Sequence, residues 1–285
     1  MQSNNPVFRR SEEFTRSGAH NQSYAGGYGS DPSQWGVGAP GDPAYGTAPA
    51  APSAPMTIDS VVQKTAISLG VVVLAAFATW ILTPDLTDAT ASLGPLYGAL
   101  MIGSLGAFAL SMVNSFKRNV SPALVLAFAA LEGVALGAFS KVIDSAFAPA
   151  DGGSLVVQAV IGTFAAFAGT LAAYKFLNIK VGDKFRTFVV AAMFGMLALG
   201  LLEMVLGLFG SSFGIFGFGA LGLLFAVAGL VLGVFMLILD FDFVEQGVAN
   251  QIPEVESWRA AFAMTVSLVW IYTNLLRILA ILQQD

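Results

Sequence analysis

Charge is scarce in this chain. Only 11% of its 285 residues are Asp, Glu, Lys or Arg, where soluble domains carry about a quarter. That deficit excludes a soluble globular fold, because too little of the surface would be held in water. Cysteine is absent, which excludes a disulfide framework, a thiolate metal site and a cysteine nucleophile. The single histidine, His20, gives histidine-based catalysis or metal ligation no basis. With 13 basic against 18 acidic residues the formal charge is −5, so nucleic acid, which selects a basic surface, is not an expected partner. No P-loop and no HExxH run occurs. Gly210-Ser211-Ser212-Phe213-Gly214 satisfies G-x-S-x-G formally. No strand precedes it and no histidine follows, so it reads as a tight turn, and no enzyme is expected.

What the chain has instead is apolar sequence in long runs. Hydrophobic residues make up 56% of it, with 23 Phe and 31 Gly, and mean hydropathy is +0.74. Crossing a bilayer as helix takes about 20 residues. Seven runs reach that length, at 61–82, 96–113, 122–140, 154–176, 187–209, 216–239 and 260–282. They do not alternate in the ten-residue pattern of a membrane barrel, and a helix satisfies its own backbone in lipid. The expected fold is all-α, a polytopic bundle of seven transmembrane helices whose solvent is the lipid bilayer. Residues 1–57 differ in kind. Gln22 to Pro55 is rich in Gly, Ser, Ala, Pro and Tyr with no periodic apolar face, so a disordered cytoplasmic tail is expected before a membrane domain over 58–285. The tail lacks the apolar core of a signal peptide.

Loop charges set the orientation. With the amino terminus inside, Arg9, Arg10, Arg16, Lys64, Lys117, Arg118, Lys175, Lys180, Lys184, Arg186 and Arg259 all fall on the inner side. Lys141 alone lies near an outer end, and Arg277 lies within the last span. The amino terminus is therefore expected in the cytoplasm and Gln283–Asp285 outside. Gly133 and Gly137 on the third span, with Gly217, Gly219, Gly222, Gly229 and Gly233 at the sixth, read as positions of close helix packing.

Ionisable groups inside spans are expensive and ask for partners. Glu132, ten residues into the third run, is the deepest charge. Two readings are open for it: a protonated acid bonded to a neighbouring helix, or a proton- or cation-binding group facing a cavity. Glu203 and Arg277 each lie 17 residues beyond the inner starts of their spans, at Arg186 and Ala260. Equal depth makes them a candidate ion pair, with Arg277 reaching to the interface as the alternative. Ser267, Trp270, Asn274 and Arg277 recur at helical spacing and make a polar-aromatic stripe facing the bundle. Asp240, Asp242, Glu245, Glu254 and Glu256 fall within 17 residues at the inner end of span six. They read either as a solvated loop or as an acidic cytoplasmic mouth that concentrates cations and offers Ca²⁺ hard oxygen ligands, although their spacing is not that of an EF-hand. Asp242 and Glu245 share a helical face, and Asp240 points elsewhere if the helix continues.

These residues also carry a resemblance. Ser121-Pro122 followed by Leu131-Glu132-Gly133-Val134-Ala135-Leu136-Gly137 resembles the third-helix signature of the Bax-inhibitor (transmembrane Bax inhibitor motif, YccA-like) family. Val156-Val157-Gln158-Ala159, Lys184-Phe185-Arg186, Leu239-Asp240-Phe241-Asp242-Phe243-Val244-Glu245, Trp258-Arg259-Ala260-Ala261-Phe262 and Leu268-Val269-Trp270-Ile271-Tyr272 are similar to a bacterial branch of it. The resemblance runs in order over residues 57–282. It implies a seven-helix bundle with the last helix near the centre, in a bacterial inner membrane. It also implies a pH-sensitive Ca²⁺ leak governed by two carboxylates on helices six and seven. Asp240 or Asp242 stands for the first acid, and together they are the candidate Ca²⁺ ligands. Where related sequences carry the second acid this chain has Asn274, a neutral ligand that does not titrate, which weakens the two-acid switch or moves it to Glu132. Ca²⁺ enters as a transported or bound ion, and no other cofactor is expected. Family members are also associated with restraining membrane proteases and with stress control. The alternative function is therefore a non-catalytic regulator that binds such a partner.

Overall fold

The computed structural model describes residues 54–84, 86, 93–148 and 153–284, all within one unit, Pro52–Asp285. The expected tail falls outside the described residues as far as residue 53, and so does His20. Seven helices long and apolar enough to cross a membrane follow in order. They are α1 (Ile58–Leu82), α2 (Gly94–Phe116), α3 (Pro122–Phe147), α4 (Leu155–Phe176), α5 (Asp183–Leu208), α6 (Ala220–Ala249) and α7 (Ser257–Leu282). A single 3₁₀ turn, Glu254–Glu256, leads into α7. Among the described residues there is no strand, only one antiparallel bridge between Pro55 and Pro253.

Local chemistry explains the ends. Thr57 and Ser60 form a reciprocal capping box at α1, each side chain accepting the other's backbone N–H at 3.1 Å. Pro95 and Pro122 occupy the first turns of α2 and α3, where the missing N–H has no intrahelical partner to lose. Asp144, near the end of α3, accepts the N–H of Leu155 at 2.9 Å and the hydroxyl of Ser154 at 3.1 Å. It thereby caps α4 across a short connection.

The seven expected runs correspond to the seven helices, with one consequential difference. The sixth begins at Ala220 rather than residue 216, and it continues ten residues past 239 to Ala249. Asp240, Asp242 and Glu245 therefore belong to the helix and not to a loop beyond it. Hydropathy falls at residue 240 because the acids begin there, yet the backbone remains helical and partners from α4, α5 and α7 meet them.

α7 packs against α6, α1, α4 and α3, whereas α2 rests on α3 and α5 on α6. Half of the membrane-length window of α3 and of α7 is buried in the bundle, against 17% for α2 and 11% for α5. A helix apolar all round yet mostly uncovered by protein belongs in lipid. Small residues set the closest approaches, as their spacing predicts. A Cβ on Gly133 would overlap the Val72 carbonyl oxygen and lie 2.7 Å from Ala75 Cβ, and one on Gly137 would overlap the Ala76 carbonyl oxygen. A Cβ on Gly103 would lie 2.7 Å from the Ala135 nitrogen. α1 and α2 thus lie backbone-close on α3.

The residues before α1 are tied to the connection before α7. Met56 N–H donates to the Ile252 carbonyl and Glu254 N–H to that of Ala54, both at 2.8 Å. Met56 itself is buried with Val61, Leu237, Val244 and Met264.

Candidate functional site

The seam between α6 and α7 gathers the polar groups that the spans carry. Gly229 and Gly233 let α7 lie close: a Cβ on Gly229 would overlap Asn274 Oδ1, and one on Gly233 would lie 2.7 Å from Ile271 Cγ1. Across this approach Trp270 donates its indole N–H to the Gly229 carbonyl at 2.8 Å, while within α7 Asn274 donates its amide to the Trp270 carbonyl at 2.7 Å. Further along the seam Ser267 donates its hydroxyl to Asp240 at 2.6 Å. Ser267 is fully buried and Asp240 is half-buried.

The acids of α6 part company around its axis. Residues two apart in a helix are separated by about 200°, and their partners follow. Asp240 meets Ser267 of α7. Asp242 accepts from Arg186 of α5 at 3.0 Å and from Gln246, one turn on, at 2.7 Å. Glu245 accepts the Tyr174 hydroxyl of α4 at 2.6 Å. Asp240 and Asp242 therefore do not form the joint Ca²⁺ ligand pair expected of them, and among the described residues no three acidic or histidine side chains could hold a metal ion. Asn274 is also apart from Asp240. It abuts Gly229, eleven residues before Asp240 and so about 16 Å away along α6, and the α7 partner of Asp240 is Ser267.

The expected acidic mouth is divided in the same way. Glu254 pairs with Lys64 at 2.8 Å and Glu256 with Arg259 at 3.1 Å, so basic residues of the same end neutralise it. Arg259 also donates to the Arg118 carbonyl at 2.8 Å. Glu132 is half-buried on α3 and makes no hydrogen bond or ion pair among the described residues. No partner on a neighbouring helix is thus seen for it among the described residues, and it lines neither of the clefts below.

Glu203 and Arg277 are not paired with each other. Both turn to the backbone of the α5–α6 connection, which supplies free N–H and C=O groups at that depth. Glu203 accepts from Phe213 and Gly214, and Arg277 donates to the Ile215 carbonyl. Lys141, expected near an outer end, is buried in α3 and donates to the Trp80 and Thr83 carbonyls at 2.9 and 2.7 Å. A cation there complements the carboxyl end of α1.

Among the described residues, clefts open between helices at two places relevant to these groups. One, of about 230 Å³, lies between α5 and α6, lined by Val189, Met193 and Leu197 on one side and Met236 and Leu239 on the other. Asp240 is its one ionisable lining group. The second, of about 370 Å³, lies between α1 and α4, and on its floor Ser140 and Tyr272 share a 2.6 Å hydrogen bond. Asp240 thus stands between an apolar cleft and a buried hydroxyl. One donor leaves much of a carboxylate unsatisfied inside a span, and a proton or a passing cation is what would offset its charge.

Sequence reasoning did not name Tyr174, Arg186 and Gln246 as partners. Gln246 was legible from its i,i+4 spacing to Asp242. Tyr174 and Arg186 lie on other helices, and nothing along one chain segment reports which faces meet. No curated protein matches the chain. The profile of the Bax inhibitor 1 like family matches residues 5–284. With seven membrane-length helices and a match over essentially its whole length, the chain is a multi-pass membrane protein that belongs to the Bax inhibitor 1 like family.

Proposed function

We propose that this protein lets cations, Ca²⁺ or protons, leak across the bacterial inner membrane along the α6–α7 seam, and that it catalyses no reaction. The observation that carries the reading is Asp240, a carboxylate within a spanning helix, bonded to Ser267 of the central helix and lining the α5–α6 cleft. An isolated charge at that depth is costly without a counter-ion or water path, and family membership supports the same reading. Ca²⁺ is cargo here. It takes six to eight oxygen ligands when held tightly, and a lone carboxylate with one hydroxyl suits transient passage. Asp242, held by Arg186 and Gln246, fastens the cytoplasmic end of α6 to α5, and Asn274 packs the seam.

The test is uptake of radiolabelled Ca²⁺ into liposomes carrying the purified protein, at about pH 6 and about pH 8. An amide in place of a carboxyl keeps the shape and loses the titratable charge, so Asp240→Asn should flatten the pH response of the flux. An unaltered pH response would remove Asp240 from the path. No flux at either pH, with capture of a membrane protease by the full-length protein, would favour the regulatory binding role instead.

A further inference from the structure

Glu203 on α5 and Arg277 on α7 carry opposite charge, and both spend it on one short stretch of backbone. Glu203 accepts the N–H of Phe213 at 2.9 Å with one oxygen and that of Gly214 at 2.8 Å with the other. Arg277 donates to the carbonyl of the next residue, Ile215, at 2.8 Å, and its guanidinium lies 5.7 Å from the centre of the Phe216 ring. Three consecutive residues are thus gripped from two helices. The same connection reaches further: Phe218 packs on Phe147 of α3 at 4.5 Å between ring centres, and Phe216 packs edge-on to Phe225 of α6 at 6.0 Å. Ile215, within the connection, turns its side chain inward and is buried. Gly210 and Gly214 hold φ of +72° and +79°, a conformation that suits glycine and lets the chain turn back over the helix ends.

We propose that residues 209–219 form a lid over this end of the bundle, closed by Glu203 and Arg277 acting as a two-charge clasp on its backbone. Charged groups make stronger hydrogen bonds than neutral ones, and here they grip main-chain atoms of 213–215, while Ser211 and Ser212 are exposed. Asn274 lies one turn below Arg277 on α7, about 4.5 Å along the axis. Opening the lid therefore uncovers the end of the α6–α7 seam. That it gates a leak rests on the reading above; that it is a clasped lid does not.

The chain contains no cysteine, so Ile215→Cys places a single thiol on the buried face of the lid itself without altering the backbone carbonyl that Arg277 holds. Its reaction with a membrane-impermeant maleimide is followed in nanodiscs, where both faces are open and no ion flux is needed. The thiol should react slowly with the clasp intact. Adding Glu203→Gln or Arg277→Gln should speed it about tenfold or more, since a charged hydrogen bond lost is worth about that factor. Ala129→Cys, fully buried on α3, serves as the control and should stay unreactive in both backgrounds. Fast labelling of Ile215→Cys with the clasp intact, or equal rates with and without it, would overturn the lid. A parallel rise at Ala129→Cys would overturn it too, because the two charges would then be holding the whole bundle together.

Discussion

Gly133 and Gly195 both lie within spanning helices, yet only one faces another backbone. A methyl on Gly133 meets the Val72 carbonyl and Ala75, whereas one on Gly195 meets nothing within 4 Å. Overpacking a close contact typically costs about 1–3 kcal/mol, and an uncrowded surface change stays within about 0.5 kcal/mol. Thermal unfolding in detergent should therefore show Gly133→Ala clearly destabilised and Gly195→Ala close to wild type. Equal melting of the two variants would mean that the α1–α3 approach is looser than described. The role of Gly133 was legible because Gly133 and Gly137 stand one helical turn apart. The partners of Glu203 were not, since a sequence displays side chains and does not display which backbone N–H groups a turn leaves free. Equal depth pointed Glu203 to Arg277, and the connection at 213–215 outcompeted that pair by offering donors to one and an acceptor to the other.

α6 and α7 meet through a fitted contact between Gly229 and Asn274. A Cβ on Gly229 would overlap Asn274 Oδ1 and come within 2.8 Å of its Cγ. Gly229→Ala should cost about 1–3 kcal/mol in the natural sequence. With Asn274→Ala already present the space is vacated, and the same change should cost at least about 1 kcal/mol less. Unfolding of the two single variants and the double variant closes the cycle; strictly additive costs would show that the two residues do not touch. The existence and order of these helices could be read from hydropathy, because a span must be long and apolar whatever it packs against. Their rotation could not. Asp240 and Asp242 sit two residues apart and look like a pair in the sequence, yet they face α7 and α5 respectively. Hydropathy also misplaced the end of α6, since it registers the arrival of charge at Asp240 and is blind to the Tyr174, Arg186 and Ser267 groups that receive it.

Across the molecule, a buried helix, α7, is surrounded by α6, α1, α4 and α3, and helices such as α2 and α5 offer most of their surface to lipid. One end is tied together by the Met56–Ile252 and Ala54–Glu254 backbone bonds and by the Lys64–Glu254 pair. The other is covered by the clasped 209–219 connection. Between them Asp240 is the acid that both lines a cleft and touches the central helix. The most direct measurement compares Ca²⁺ flux through Asp240→Asn and Asp242→Asn in liposomes, normalised to folded protein. If the path runs along the seam, Asp240→Asn should lower flux about tenfold, the factor that about 1.4 kcal/mol of lost cation stabilisation produces. Asp242→Asn should change it far less, because Asp242 is held by Arg186 and Gln246 on the side of α6 that faces α5, away from Ser267. Flux that is indifferent to Asp240→Asn but abolished by Asp242→Asn would contradict a path along the α6–α7 seam.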